Sequence, residues 1–540
     1  MRSEGKMIFV TGGVMSSIGK GIATASLGRA LTSRGYRVNA LKIDPYVNVD
    51  AGTMNPFQHG EVFVTNDGAE TDLDLGNYER FLGVDCRQYS NFTSGAVYQA
   101  VIEKERAGEY LGETVQLIPH ITNEIKERIY YALSETCSDI LIVEIGGTIG
   151  DFETPPFVEA IREIRIERGV ENTLFMHVIP IAQASPWGEM KTKPTQHSVR
   201  ALLTLGIQPD VLICRTSVDL PKEIRRKIAS TCGVPVEAVI EASDVEEIEE
   251  APLLFEREGV GDLVVKRMRL PKQEQVECGK WEEMTHRLKN PKRTVEIAVV
   301  GKYTEHGDAY LSVKEALKHG GIANEARVQI RWIESDELTE AENLSSRFEG
   351  VGGMLVPGGY GYRGIEGMIC AIRYARENRV PYLGLCLGMQ CMVIERARYA
   401  GLAGANSSEF DENAPHPVIH LMDTQDREGD KGGTQRLGLY PCVLKPDTRA
   451  HAAYGQARIE ERHRHRYEVN NAYRARLEEA GLVWSGLSPD ESLVEIAEAS
   501  DHPWMVGSQF HPEFRSRPLT PHPLFVKFIE ASLEWMTVAP

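Results

Sequence analysis

The sequence lacks the features of membrane proteins, disulfide scaffolds and nucleic-acid-binding proteins. No apolar stretch approaches the roughly 18 residues that a membrane-spanning helix needs, so we expect no membrane partner. The nine cysteines are an odd number with no Cys-x-x-Cys pair, which fits neither a disulfide framework nor a zinc motif. A net charge of -18, from 60 basic and 78 acidic residues, disfavours nucleic acid as a partner. These absences favour an ordinary globular protein of the reducing cytoplasm.

The sequence does contain short apolar runs that alternate with helical patterns. This alternation is typical of βαβ units around a buried parallel sheet. It predicts an α/β fold with two Rossmann-like domains that have mainly parallel sheets and are joined by a linker. The runs occupy residues 8–10, 38–43, 140–145, 211–214, 295–300, 354–356 and 380–385.

The chain of 540 residues is too long for one hydrophobic core. Residues 272–293 are polar and charged and are bounded by Pro271 and Pro291, which is the composition of a linker. We therefore predict a first domain over 1–270, a linker over 271–293 and a second domain over 294–540.

The second half contains a candidate nucleophile, Cys386, between Gly384 and Gly388. An apolar strand precedes it and a helical segment follows, which is the nucleophile-elbow pattern with cysteine in place of serine. Glycines permit the strained turn, and the N-terminus of a helix favours a thiolate. The alternative is a buried structural cysteine, the usual role of a free thiol.

His511 and Glu513 are the candidate partners of this cysteine. Two residues apart in an extended segment, they would share one face, so the carboxylate can orient an imidazole that takes the thiol proton. The loop 357–361 is glycine-rich, and its backbone N–H groups, with that of Leu387, can bind a developing oxyanion. Taken alone, such a loop is more often a tight turn.

These residues resemble the class I glutamine amidotransferases. The resemblance implies that Cys386 is the nucleophile, His511 the base and Glu513 the residue that orients it. Arg466 ends a basic run, 461–466, that a metal or phosphate site would also explain, but a guanidinium suits the carboxylate of glutamine. The implied glutamine-binding residues are Gly359, Leu387, Gly388, Met389, Gln390, Glu409 and Arg466.

The first half opens with a glycine-rich segment, 12–21, between a strand and a helix. Backbone N–H groups of such a loop, the helix dipole and Lys20 favour phosphate. The spacing departs from the usual P-loop, and Gly21 replaces the Ser or Thr that normally contacts Mg²⁺. Asp74 and Glu144 are therefore the candidate magnesium ligands. For Glu144, a capping or salt-bridging carboxylate is the alternative.

A third cluster of polar residues, 191–198, combines two lysines with hydroxyls and an amide. With Lys227 it is suited to a second triphosphate, although each part alone is more often solvated surface.

Together these motifs resemble the CTP synthase family from about Ile8 to about Phe528, most specifically in the variant P-loop, in 68–76, in 191–198 and in the Cys-His-Glu set. The resemblance implies a ligase of pyrimidine biosynthesis. ATP phosphorylates the 4-oxygen of UTP, ammonia from glutamine displaces the phosphate, and CTP results. It implies an ATP-dependent amidoligase domain over 1–270 and an amidotransferase domain over 294–540.

The resemblance also implies the nucleotide-binding residues. Those for ATP are Ser17, Ile18, Gly19, Lys20, Gly21, Ile22, Lys42, Asp74, Ser243, Asp244 and Val245. Those for UTP, or for CTP as feedback inhibitor, are Ser16, Asp151, Phe152, Glu153, Lys191, Thr192, Lys193, Pro194, Thr195, Gln196 and Lys227.

The residues and the resemblance together imply Mg²⁺ as cofactor. Three further properties rest on the resemblance alone: GTP as allosteric activator, an ammonia tunnel past His59 and a homotetramer. Residues 181–187 depart from the family pattern, which leaves the packing of the pyrimidine site open. Two other hypotheses are a P-loop amidoligase with a fused glutaminase that acts on a carboxylate, and a sensing assembly protein without turnover.

Overall fold

The computed structural model describes residues 5–183, 188, 190–271, 276–305, 307–338, 344–422, 425 and 433–538. The chain divides into two compact units, one formed by Met1–Ala51 with Asp74–Glu282 and the other by Gly52–Leu73 with Glu283–Pro540. None of the described helices is long and apolar enough to cross a membrane.

The first unit is built on a seven-stranded sheet in which all paired strands are parallel. Its central strands, such as Ile140–Ile145, are buried along their whole length, which explains their continuous apolar runs. In spatial order the strands are Val239–Ser243, Val211–Thr216, Thr173–Pro180, Lys6–Gly12, Ile140–Ile145, Val38–Asp44 and Asn91–Thr93.

Helices connect these strands and supply the rest of the core. Several begin or end where the sequence signals it, with Pro155 at the start of one helix and a left-handed Gly233 at the end of another. The helices are Lys20–Thr32, Asp74–Leu82, Ser94–Arg106, Thr122–Thr136, Pro155–Arg168, Lys193–Thr204, Lys222–Cys232, Ala251–Arg257 and Val260–Arg267. A two-stranded ribbon pairs Ala182–Gln183 with Met190–Lys191.

The second unit contains a nine-stranded mixed sheet. Its first five strands pair in parallel, and the other four pairings are antiparallel, so only half of this sheet has the predicted parallel arrangement. In spatial order the strands are Ala326–Glu334, Arg293–Gly301, Gly353–Val356, Tyr382–Leu385, Met505–Ser508, Val494–Ala499, Leu482–Leu487, Arg436–Leu444 and Arg458–His465.

Helices and two small sheets complete this unit. The helices are Pro56–His59, Leu311–Ala323, Leu344–Arg347, Ile365–Asn378, Leu387–Tyr399, Arg449–Tyr454, Arg474–Glu479 and Pro523–Val538. The small sheets comprise Ala405–Ser407, His416–Leu421 and Tyr467–Val469, and the hairpin Phe63–Val64 with Glu70–Thr71. Buried side chains cover both faces of the large sheet.

Two boundaries differ from those expected from the sequence. The predicted linker contains the helix Gly279–Lys289, and its Trp281 is only 1% exposed and donates an indole N–H to Glu249 O at 2.7 Å. The polar residues that suggested a linker belong instead to this helix, which buries a single aromatic side chain, that of Trp281. Segment 52–73, placed by sequence in the first domain, belongs to the second unit, where Glu61 accepts the N–H of Ser312 at 2.8 Å.

Candidate functional site

Cys386 lies at a sharp turn between the strand Tyr382–Leu385 and the helix Leu387–Tyr399, as the sequence predicted. Its backbone has φ 50° and ψ -100°, a conformation that side chains other than glycine rarely adopt. The flanking glycines are sterically required. A Cβ at Gly384 would lie 2.7 Å from the backbone of Gly388, and one at Gly388 would lie 2.1 Å from Val356 O.

Cys386 is 5% exposed, and besides His511 its sulfur has two further polar neighbours. The amide Nε2 of Gln509 donates to Sγ at 3.5 Å, and the Arg464 carbonyl lies 3.8 Å from Sγ as an acceptor. An N–H donor stabilises a thiolate more than a thiol. The sequence did not single out Gln509, because a lone glutamine carries no motif of its own.

His511 is held in place by Glu513, with Nδ1 and Oε1 2.7 Å apart. Burial by itself would lower the pKa of His511, but the Glu513 carboxylate and the Cys386 sulfur raise that pKa to about 10. The expected extended segment is wrong here, because Pro512–Arg515 forms a 3-10 helix that His511 precedes. The tight turn brings the two side chains together all the same.

A cavity of about 580 Å³ opens at this cysteine, and all its lining residues belong to the second unit. Gly359, Glu409 and Arg466 line it together with Cys386 and His511. The predicted residues 387–390 are not among the described residues that line it. They form the first turn of the helix after the nucleophile, where Met389 packs against Gly507 and Gln390 donates to Tyr467 O at 2.8 Å.

Opposite charges face the cavity at Glu409 and Arg466. Burial raises the pKa of Glu409, whose Oε1 accepts the backbone N–H of Gly361 at 2.8 Å. Arg466 donates from Nη2 to Thr434 Oγ1 at 2.7 Å. A carboxylate and a guanidinium in one cavity are suited to the two charged ends of a free amino acid.

The basic run 461–466 forms neither a metal site nor a phosphate patch among the described residues, because its members have separate partners. Arg462 donates to Asn66 Oδ1 at 2.6 Å, and Arg464 donates to Glu70 Oε1 at 2.8 Å. His463 and His465 contact each other at 3.0 Å in the core. Both partners lie in segment 52–73, where the sequence predicted no role for Asn66 and marked Glu70 only as part of the motif 68–76.

In the first unit, the glycine-rich segment between the strand Lys6–Gly12 and the helix Lys20–Thr32 is strongly bent. Val14, Ser17 and Gly19 all have positive φ, 78°, 54° and 89°. Such turns direct successive N–H groups toward one point, which suits a phosphate. Lys20 lies beneath the segment, buried, with Nζ donating to Gly147 O at 2.6 Å.

Gly21 has a steric role beside this segment. A Cβ at Gly21 would lie 1.9 Å from Oδ1 of Asp74. The carboxylate therefore occupies the position next to the helix that a Ser or Thr side chain would need. This contact explains why the chain departs from the usual P-loop at Gly21.

The buried residues Lys42 and Glu144 form one cluster with the partly buried Asp74. Lys42 Nζ donates to Asp74 and to Glu144 Oε1, the latter at 3.0 Å, and the Tyr78 hydroxyl donates to Glu144 Oε2 at 2.6 Å. Burial raises the pKa of Glu144, whereas for Asp74 the effect of burial is outweighed by Lys42, which lowers its pKa. Both carboxylates thus point at one cationic group, which is the geometry a divalent cation needs. The salt-bridging alternative for Glu144 also describes this contact.

Ser243 ends the outermost strand of the sheet, and Asp244 and Val245 follow it. Arg215, on the neighbouring strand, donates to Asp244 Oδ1 at 2.6 Å. The guanidinium of Arg215 also lies 3.7 Å from the position of a Cβ at Gly19. Arg215 therefore lies between the predicted adenine segment and the predicted phosphate-binding segment, although no local motif in the sequence marks it.

The predicted pyrimidine-nucleotide residues are mostly on the surface. Lys191, Lys193 and Lys227 are exposed, and so is Ser16, whereas Thr192 and Thr195 are buried. Residues 190–196 form a strand end and the start of the helix Lys193–Thr204. Residues 184–187 of the divergent segment lie outside the described residues.

Residues 151–153 lie at a turn before the helix Pro155–Arg168. Asp151 Oδ2 accepts the Thr148 N–H at 2.7 Å, and Phe152 is 98% exposed. Phe152 and Glu153 line a separate cavity of about 860 Å³. Neither Lys191 nor Lys227 is among the described residues that line this cavity, so the structure does not bring all the pyrimidine candidates together in one pocket.

His59, expected beside an ammonia tunnel, is exposed at the end of the short helix Pro56–His59. It belongs to the second unit and is not among the described residues that line the cavity at Cys386.

Comparisons with protein families match both halves of the chain. The model described as "CTP synthase N-terminus" matches residues 6–270, and the model "Glutamine amidotransferase class-I" matches residues 306–531. The CTP synthase of Caldanaerobacter subterraneus is 58% identical over 529 residues, which cover 98% of each chain. The CTP synthase of Carboxydothermus hydrogenoformans is 58% identical over 530 residues, 98% of this chain and 99% of that protein.

Among solved structures, the glutaminase domain of Trypanosoma brucei CTPS with bound acivicin is 37% identical, with a TM-score of 0.42. The match covers 44% of this chain and 94% of that one.

Proposed function

The chain belongs to the CTP synthase family, and from that premise we propose how its two sites divide the reaction. The chain is a glutamine-hydrolysing ligase that converts UTP to CTP at the expense of ATP. The observation that carries this conclusion is the 58% identity to a CTP synthase over 98% of both chains. The buried Cys-His-Glu set and the phosphate segment lie in the two matched regions.

In the glutamine half-reaction, the Cys386 thiolate attacks the amide carbon of glutamine, and His511 gives a proton to the departing nitrogen, so that ammonia leaves and a thioester remains. Water then attacks the thioester, which releases glutamate and the free cysteine. The raised pKa of His511, about 10, supports this assignment because it keeps the imidazole protonated at neutral pH, the form that can give a proton to the departing nitrogen. Glu513 keeps the imidazole in place through the 2.7 Å hydrogen bond.

The tetrahedral intermediate needs hydrogen-bond donors for its oxyanion. Leu387 is the first residue of the helix after the nucleophile, so its N–H is one of those left without a helical partner. The loop 357–361 is the other source of donors, and Gly358 lies against His511, since a Cβ there would be 2.7 Å from its Cε1. When glutamine is bound, Glu409 binds its α-ammonium group and Arg466 binds its α-carboxylate.

In the nucleotide half-reaction, the segment 12–21 and Lys20 bind the ATP phosphates, with Lys42 beside them. Asp74 and Glu144 are the proposed magnesium ligands. Both carboxylates accept hydrogen bonds from the ammonium group of Lys42, which supports a site for positive charge between them. The ion would neutralise charge on the phosphates. Ser243, Asp244 and Val245 contact the adenine, and Arg215 orients this segment through Asp244.

The pyrimidine nucleotide is held by its triphosphate at Ser16, Lys227 and the segment 191–196. CTP carries the same triphosphate and differs from UTP in one polar substituent of the base, so both nucleotides can share this anchor. Asp151, Phe152 and Glu153 contact CTP as the feedback inhibitor. The support is their position at an exposed turn in the same unit and within the residues that the CTP synthase N-terminus model matches.

GTP activation, feedback inhibition by CTP and a homotetramer complete the proposal, together with an ammonia path past His59. The family resemblance supports these four properties. We also propose that residues 1–270 act as the amidoligase domain and 294–540 as the amidotransferase domain. The nine cysteines are free thiols, which supports a reducing cytoplasmic location.

The test is incubation with UTP, ATP, Mg²⁺, GTP and glutamine while the change from uracil to cytosine absorbance is followed. The absorbance change and release of one glutamate for each CTP are expected. Glutaminase activity without the absorbance change would favour an amidoligase that acts on a carboxylate. Release of neither product would favour a sensing protein without turnover.

A further inference from the structure

A buried lysine, Lys302, lies under the glycine-rich loop beside the nucleophile. It follows the strand Arg293–Gly301 and is 1% exposed, although lysine is among the residues least often fully buried. Its Nζ donates to the carbonyl of Tyr360 at 3.0 Å and to the carbonyl of Gly361. The chain therefore places a charged group where an apolar side chain would cost less free energy.

Lys302 and Glu409 hold the two ends of a single peptide group. The carbonyl of Tyr360 accepts from Lys302, while the N–H of the same peptide, contributed by Gly361, donates to Glu409 Oε1 at 2.8 Å. Both hydrogen bonds involve a charged partner, which makes them stronger and shorter than neutral ones. The peptide plane between Tyr360 and Gly361 therefore has one favoured orientation.

This orientation is passed along the loop to the nucleophile. A Cβ at Gly359 would lie 3.7 Å from Cδ of Lys302 and 3.3 Å from the side chain of Leu387. A Cβ at Gly358 would lie 3.7 Å from Cβ of Cys386. Fixing the 360–361 peptide therefore fixes the backbone that runs past the sulfur.

We propose that Lys302 is a positioning residue of the glutamine half-reaction: together with Glu409 it orients the 360–361 peptide, so that the preceding loop N–H groups face the developing oxyanion. This inference rests on the proposed function. Lys302 does not touch the reacting atoms, and it acts through the loop.

The environment of Lys302 adds a dependence on pH. Burial lowers the pKa of Lys302 to about 8, against the opposing effects of Cys391 and Glu409. Arg363 lowers this pKa further, and Asp336 raises it. Lys302 is therefore protonated below about pH 8 and neutral above it. Glutaminase activity should decline above that pH, because the neutral amine forms weaker hydrogen bonds to the loop carbonyls.

The test compares wild type with Lys302→Met, which keeps a long apolar stem and removes the charge. Three rates are measured: glutamine hydrolysis between pH 6 and 10, CTP synthesis from ammonium salt, and alkylation of Cys386 by iodoacetamide, read by mass spectrometry at that cysteine. Lys314→Met is the control, because Lys314 is an exposed lysine in the same unit.

For Lys302→Met we expect the kcat of glutamine hydrolysis to fall about 10- to 100-fold, the range for a weakened oxyanion site, with a smaller change in KM. The alkaline decline near pH 8 should disappear, while alkylation of Cys386 and ammonium-dependent synthesis stay at wild-type rates. The control should match wild type in all three.

The inference would be overturned if Lys302→Met hydrolysed glutamine at the wild-type rate and its activity still declined near pH 8. A parallel loss of alkylation would also overturn it, because that would show general damage to the site. A wild-type protein that hydrolyses no glutamine would instead overturn the proposed function itself.

Discussion

The two sites of this chain differ in how much of each is buried. Around Cys386, the nucleophile, His511 and Glu513 are all less than a tenth exposed, and their hydrogen bonds are already formed. In the nucleotide unit, Lys42 and Glu144 are equally buried, but the pyrimidine candidates Lys191 and Phe152 lie at the surface. The candidate glutamine site lies within one unit and is buried, whereas the nucleotide candidates are divided between a buried cluster and exposed residues.

The chemistry proposed for each site explains this difference. A cysteine nucleophile needs its base and its oxyanion donors in place before the substrate arrives, because their preorganisation lowers the barrier. A triphosphate brings its own charge, so solvated lysines can bind it at the surface with little preorganisation. Substitution of a buried residue should therefore abolish one half-reaction and leave the other. Substitution of an exposed residue should mainly lower the affinity for the nucleotide.

The largest effect is expected for Cys386→Ala. Glutamine-dependent CTP synthesis should fall at least about a thousandfold, because the nucleophile is gone, while synthesis from ammonium salt continues at the wild-type rate. Parallel assays with the two nitrogen sources measure this. Loss of both activities in a folded protein would show that the two sites are not separable.

The buried cluster of the nucleotide unit should give the converse result. Asp74→Asn or Glu144→Gln should lower ATP-dependent synthesis by roughly a hundredfold or more, because each removes a carboxylate from the proposed magnesium site. Basal glutamine hydrolysis should remain. Titration of activity with Mg²⁺ measures the effect, and a wild-type magnesium dependence in both variants would refute the assignment.

Gly21→Ser tests the steric account of the variant P-loop. The new Cβ would meet Asp74 at 1.9 Å, so the carboxylate must move even though serine is the usual residue there. Overpacking costs about 1–3 kcal/mol, and ATP-dependent synthesis should fall roughly ten- to a hundredfold. Gly279→Ser is the matched control, because a Cβ there meets nothing within 4 Å. Higher activity in Gly21→Ser would contradict this account.

The exposed pyrimidine residues should give the smallest effect. Lys191→Ala removes one of the proposed charge-assisted contacts to phosphate, so the UTP requirement should rise and CTP inhibition should weaken together, each about tenfold. Glu153→Ala should relieve CTP inhibition with less effect on UTP. Competition kinetics separate the two, with the exposed Lys222→Ala as control.

An unchanged CTP inhibition constant in Lys191→Ala, beside an altered UTP requirement, would exclude a common triphosphate anchor. No change in either would make Lys191 a solvated surface lysine.

The sequence predicted those features that depend on neighbouring residues. The strands and the elbow at Cys386 follow from apolar runs and glycines that are adjacent in the chain. Gly21 predicted only that carboxylates elsewhere would hold the metal, and the approach of Asp74 to the helix is visible only in the structure. The confirmed α/β fold rests on the same local patterns.

The remaining features depend on contacts between distant residues. Gln509, Lys302 and Arg215 are single polar residues without a motif, and only folding places them beside Cys386, the loop and Asp244. Segment 52–73 belongs to the second unit, where Glu61 contacts Ser312, and the composition of the segment does not predict this placement. The helix at Trp281 was missed because a single buried aromatic residue is a weak signal among charged neighbours.

The most direct measurement traces the nitrogen. Wild type and Cys386→Ala are each given UTP, ATP, Mg²⁺, GTP, amide-¹⁵N glutamine and unlabelled ammonium salt, and the mass of the CTP is measured. We predict ¹⁵N in the 4-amino group of the CTP from wild type, and CTP of normal mass from the variant. Unlabelled CTP from wild type, or labelled CTP from Cys386→Ala, would contradict the account that Cys386 releases the ammonia from glutamine.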